Sequence, residues 1–138
     1  MMHELNSIMI YVHPPLAVIG HILVFASLYP SFAGAGGKGW VRHLPFAAWL
    51  FVLAGLVSGM VWAQLAWGAY WSWDPKETAT LLLFVGVSAH AYVYYGGLKW
   101  EQAKNRNKAL RILSLLNCLL VAAALSVTLL PGSMHSYA

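Results

Sequence analysis

Residues 44–66 read LPFAAWLFVLAGLVSGMVWAQLA. No charged side chain interrupts this run, and it is longer than the ~20 residues an α-helix needs to cross the hydrocarbon core of a bilayer. A helix that is apolar on every side has no face to offer water, so the stretch predicts a membrane-spanning helix. Comparable runs can be drawn at about 8–32, 75–98 and 109–130. The expected fold is therefore an all-α integral membrane protein: a single membrane domain over residues 1–138, folded as a bundle of four transmembrane helices.

Composition agrees. The chain of 138 residues is 60% hydrophobic and only 9% charged, whereas soluble domains carry about 25% charged residues. A water-soluble globule is excluded. The net charge of +4 raises the question of nucleic acid, but the basic residues alternate with the spans instead of lining one face, so membrane lipid is the expected partner and nucleic acid is not. No Lys or Arg precedes the first apolar run and no small-residue cleavage site ends it. The first helix is thus expected to stay in place, not to be removed as a signal peptide. Cys118 is the single cysteine and lies inside the last run. There is no disulfide framework, paired-thiol motif or covalent heme-attachment sequence, and Cys118 reads as a small buried apolar residue.

Orientation follows from the lysines and arginines. Lys38 and Arg42 fall in or beside the glycine-rich first loop, and Lys99, Lys104, Arg106, Lys108 and Arg111 in or beside the third. By the positive-inside rule that side is cytoplasmic. Both termini and the second loop are then expected on the outer face, with Lys76 there beside Asp74 and Glu77. In the second span Gly55 and Gly59, with Ala54 and Ser58 beside them, form a small-residue pattern that lets helix backbones approach closely. Pro75 after Asp74 marks a helix start capped by a carboxylate.

The second loop, residues 67–78, reads WGAYWSWDPKET. Aromatic belts place Trp and Tyr at membrane boundaries in any case, and Trp49 and Trp62 read that way. The belt does not explain Trp67, Tyr70, Trp71 and Trp73 packed so closely before a capped helix. A flat apolar cofactor needs broad aromatic surface, and its carboxylates need cations or backbone N–H groups, which a helix N-terminus supplies. Lys76 reads either as a charge for the same purpose or as a simple solvated lysine.

This run resembles the tryptophan-rich signature, the WWD domain, of the heme-handling membrane proteins of cytochrome c biogenesis, the CcsA, CcmC and CcmF group, and is most similar to CcsA. His13-Pro14-Pro15-Leu16 and His135-Ser136-Tyr137 resemble the segments around that group's two external histidines. The resemblance implies a noncovalent heme b at the outer face, with Trp67, Tyr70, Trp71, Trp73, Asp74 and Lys76 in its binding loop. It implies His13 and His135 as the iron ligands from opposite sides. A bis-histidine site leaves no open position for oxygen chemistry, and no catalytic residue is assigned. Members of the group have more spans than the four drawn here, and one branch works with a large partner carrying an external domain.

His21 and His90 lie within spans, where ionisable side chains are costly and usually face a bundle interior or a site. Two readings stand: a pair holding a second heme iron, as in some members of the resembled group, or structural histidines bonded to neighbouring helices. His43 reads as interfacial. Asn117 and Gln64 read as interhelical hydrogen-bonding residues.

Two functions fit these residues, beside a third reading as a heme-free packing subunit of a larger membrane complex. The first is a heme-handling protein of a prokaryotic plasma membrane, holding heme at the outward loop for transfer to a partner such as an apocytochrome c. The second is a heme b-bearing electron-transfer subunit linking quinol to an extracytoplasmic redox partner such as a cytochrome c. Identical ligands serve both.

Overall fold

A computed structural model of the chain describes residues 8–33, 38–96 and 103–127. Within them all regular structure is helical: α1 (Met9–Ala26), α2 (Leu28–Ala33), a short 3-10 helix (Gly39–His43), α3 (Leu44–Trp67), α4 (Pro75–Tyr94) and α5 (Ala103–Val127). His3, His135 and residues 128–138 lie outside the described residues, as do 34–37 and 97–102.

The break between α1 and α2 has a local cause. Pro30 has no N–H to give the carbonyl of Ala26, and its ring presses on that carbonyl, so the helix stops at Ala26. Ser27 and Ser31 bond back through their hydroxyls, to the carbonyls of Leu23 at 2.8 Å and Ser27 at 2.7 Å. Across the break, Met9–Ala33 remains one apolar stretch long enough to cross a membrane.

Gly39–Trp67 and Lys104–Val127 also meet the length and composition of a span. The expected third span, 75–98, does not meet it by composition, because α4 carries Lys76, Glu77, Thr78, Thr80, Ser88 and His90. Yet α4 packs against both α3 and α5, and several of its polar groups are paired internally. Thr80 donates to the Lys76 carbonyl at 2.8 Å, Ser88 to the Phe84 carbonyl at 2.7 Å, and the Trp49 indole N–H donates to Ser88 at 3.0 Å. A helix flanked by others in a bilayer requires such internal pairing.

Two boundaries differ from the sequence reading. The third helix ends at Tyr94, not near 98, because Gly96 takes a left-handed turn with φ of 81°. The fourth begins at Ala103, before 109. Hydropathy marks only the apolar part of a helix, whereas the exposed Lys104, Asn105 and Lys108 extend it with polar residues.

Val24, Ala48, Val52, Leu83, Val87 and Val121, drawn from α1, α3, α4 and α5, form the main core. Val18, Ile22, Val57, Leu82, Val85 and Leu119 point outward and are exposed, the surface that lipid covers in a membrane protein. Small residues let α1 and α3 approach closely. A Cβ on Gly20 would meet the Phe51 backbone carbonyl carbon at 3.2 Å, and one on Gly55 would meet Ala17 Cα at 3.5 Å.

Candidate functional site

The tryptophan loop is shaped by its own backbone chemistry. Gly68, with φ of 77°, closes α3 by donating its N–H to the Gln64 carbonyl at 3.1 Å. Asp74 caps α4 by accepting the Lys76 N–H at 2.9 Å. Glu77 reaches back in a capping box: its carboxylate accepts the Ser72 N–H at 2.8 Å, the Asp74 N–H at 3.3 Å and the Ser72 hydroxyl at 3.2 Å. This clamp draws the chain into a tight bend, and Trp73 sits in it with φ of 58°, a left-handed conformation rare for a bulky residue. Trp71 and Trp73 meet edge to face, ring centres 5.7 Å apart. Tyr70 and Trp73 are largely exposed, and Trp67 and Trp71 half-buried.

Below the loop a cavity of about 350 Å³ opens between α1, α3, α4 and α5, lined in part by His13, His21, Trp62, Lys76, Thr80 and Leu125. This is the size range of small-molecule sites. A smaller cleft of about 40 Å³, walled by Tyr70, Trp71 and Glu77, shares His13, Gly55, Lys76 and Thr80 with it. His13 and Lys76 therefore stand where the loop meets the cavity.

His13 is held by α3. Its Nδ1 lies 3.1 Å from both the Gly55 carbonyl oxygen and the Ser58 hydroxyl. The Ser58 hydroxyl proton goes to the same carbonyl at 3.1 Å, and a carbonyl can only accept. With the hydroxyl bonded in this way, Nδ1 donates to the Gly55 carbonyl and the lone pair of the neutral ring falls on Nε2. Anchoring one imidazole nitrogen to a backbone carbonyl is how proteins orient a ligating histidine. The ring fills the space over Gly59, where a Cβ would meet His13 Cε1 at 3.0 Å. Trp62 packs edge to face on it at 5.3 Å, and the buried Trp62 indole N–H has no acceptor.

The loop and the first histidine are thus brought together, whereas the membrane histidines are not. His21 lines the cavity. His90 is 3% exposed and lies away from it, with its Nε2 2.8 Å from Ser31 Oγ. Ser31 spends its proton on the Ser27 carbonyl, so His90 donates from Nε2. Ser31 stands ten residues along from His21, about 15 Å at helical rise. His43 is exposed, and Asn117 sits in the core against Gly86. His135 lies outside the described residues.

Two expectations change in detail. Asp74 is 6% exposed and is committed to the helix cap, and the first-turn N–H of Lys76 is committed to Asp74, so that N–H is not available to a cofactor carboxylate. Trp62, read from sequence as a belt residue, belongs to the His13 wall. Its signal was the helical spacing of Gly55, Ser58, Gly59 and Trp62, which places all four on one face of α3.

The residues present suit a porphyrin: an oriented imidazole, a lysine, aromatic surface and a largely apolar cavity. Among the described residues no three His, Cys, Asp or Glu gather as a site for a bare metal ion.

Comparison with known proteins agrees with the sequence resemblance. Residues 37–135 match the family described as cytochrome C assembly protein. The cytochrome c-type biogenesis protein CycK of Rhizobium meliloti is 34% identical over 94 residues, covering 62% of this chain and 14% of its own length. The cytochrome c-type biogenesis protein ccl1 of Rhodobacter capsulatus is 30% identical over 139 aligned positions, 91% of this chain and 20% of its own length. The cytochrome c biogenesis protein CcsA of a Synechococcus species is 34% identical over 88 residues, 64% of this chain and 26% of its own length. The chain thus spans between about a seventh and about a quarter of these relatives. No solved structure matches it. The chain belongs to the cytochrome C assembly protein family.

Proposed function

We propose that this chain holds a noncovalent heme b against the tryptophan loop, for transfer to a partner in cytochrome c maturation. His13 and His135 are the iron ligands in this reading, and the loop faces outward. Tyr70, Trp71 and Trp73 supply aromatic surface for the ring, Trp67 supports the loop from the end of α3, and Lys76 pairs with a heme carboxylate. Asp74 acts through the cap that positions Lys76. One observation carries the reading. His13 is anchored through Nδ1 to Gly55, which directs ligand character to Nε2 at the junction of loop and cavity. The family membership supports the maturation role, and the partner is an apocytochrome c or another subunit of the assembly machinery.

The electron-transfer alternative gains most from a second heme deeper in the bundle. The Nε2 bond of His90 to Ser31 and its place outside the cavity speak for a structural role instead. The test is spectroscopic: reduced-minus-oxidised spectra of the purified protein and of a variant combining His13→Ala and His135→Ala. Loss of the heme signal in the variant is expected, and an unchanged heme content and spectrum would sink the assignment.

A further inference from the structure

At the end of the bundle opposite the tryptophan loop, the tips of α3, α4 and α5 gather groups that the heme site does not use. Tyr94, the last residue of α4, is 5% exposed, and its hydroxyl has no hydrogen-bond partner. Arg106, near the start of α5, has a buried Nε–H that likewise lacks an acceptor. Tyr94 packs against Leu110, one helical turn beyond Arg106 on α5. Buried donors are normally satisfied, and these two, at adjoining helix ends, ask for an acceptor that the described residues do not supply.

The setting favours an anion. Lys38, Arg42, Lys104, Arg106, Lys108 and Arg111 crowd this end, while the carboxylates of the described residues, Asp74 and Glu77, both sit in the tryptophan loop. Neighbouring groups are already engaged. Tyr95 donates its hydroxyl to the Arg42 carbonyl at 2.8 Å and accepts the Phe46 N–H at 3.2 Å, which ties the 3-10 helix to α4 and fixes where Arg42 stands. Arg111 donates to the Phe32 carbonyl at 3.4 Å and lies over that ring. Arg106 and Tyr94 keep their donors in reserve.

We propose that Tyr94 and Arg106, with Arg42 beside them, bind the phosphate of an anionic phospholipid in the leaflet at this end of the bundle. An arginine N–H and a hydroxyl are the donor types that phosphate oxygens accept. A lipid fits better than a free phosphate ion because Trp40, Phe46 and Tyr92 are exposed around this end, continuous with the apolar sides of the helices, where acyl chains lie.

The full purified chain in detergent, titrated with soluble short-chain phosphatidylglycerol and followed by native mass spectrometry, tests this. One tight lipid adduct is expected. Arg106→Gln should weaken it about tenfold or more, and Tyr94→Phe roughly threefold to tenfold. Lys108→Gln, an exposed site on the same helix with the same loss of charge, should stay within about twofold. Tyr94→Phe removes only an unpartnered hydroxyl, so the lipid-free protein should melt no lower than the parent. That variant keeps the test readable if Arg106→Gln does not fold. Parental affinity in Tyr94→Phe would overturn the proposal, as would Lys108→Gln weakening binding as much as Arg106→Gln. Displacement of the lipid by equimolar inorganic phosphate would overturn the lipid assignment.

Discussion

His13 on α1 bonds to the carbonyl of Gly55 on α3 at 3.1 Å, and its ring occupies the space over Gly59 one turn further on. The same contact therefore packs two helices and orients an imidazole. The absence of a side chain at 59 makes room for the ring, its absence at 55 lets Ala17 of α1 approach, and Trp62 packs edge to face on the imidazole.

Gly59→Ala separates the two roles. Its Cβ would stand 3.0 Å from His13 Cε1 and 3.4 Å from Nδ1, so the ring must shift. Alanine also favours the helix by up to ~1 kcal/mol over glycine. Helical content by circular dichroism should hold while heme occupancy falls or the iron spectrum moves. A native spectrum at full occupancy would remove His13 from the ligand set.

Glu77→Gln tests the loop clamp. The carboxylate accepts two backbone N–H groups and one hydroxyl, and charged acceptors of this kind contribute about 1.5–3 kcal/mol each in favourable settings. The loop should loosen before the bundle does. Hydrogen exchange at residues 72–76 should accelerate by about tenfold or more, with heme retained less tightly and the global melt lowered by a few degrees. Unaltered exchange would mean that the loop is held by its aromatics alone.

Trp73→Gly asks whether an exposed aromatic earns its strained backbone. Trp73 is 69% exposed and has φ of 58°, a conformation that costs an L-residue roughly 1–2 kcal/mol and glycine almost nothing. Thermal stability should be unchanged or higher by about 1 kcal/mol, while heme occupancy drops. Full heme occupancy in this variant would deny Trp73 a place on the platform.

His90→Ala should behave in the opposite way. It leaves the buried Ser31 hydroxyl without its imidazole donor and opens a void beside Tyr94, whose ring centre lies 6.2 Å from that of His90. A loss of about 2–4 kcal/mol is expected in unfolding experiments, with the heme spectrum per folded protein unchanged. Loss of a distinct heme fraction would restore a ligand role to His90.

Much of the site was legible from local chemistry. Asp74 before Pro75 announced a capped helix, and the structure has that cap. The small residues around Gly55 announced a close helix approach, and α1 lies there. Less legible were contacts set by how one helix registers on another. Gly59 receives an imidazole, Trp62 turns from the membrane boundary to the His13 wall, and His90 pairs with Ser31. Each depends on rotations and offsets between helices that no local pattern encodes. Glu77 was passed over for a related reason, since its side chain folds back onto residues that precede its own helix.

The amino-acid sequence alone determined the helical class, the apolar spans and the aromatic loop, because each rests on composition and on spacing within one segment. It also carried the family resemblance, in a contiguous run of residues. Tertiary structure decided which histidines meet which partners. His13 and His21 face one cavity and His90 another place because an imidazole's role depends on the acceptor across the helix interface, and that acceptor is chosen by packing.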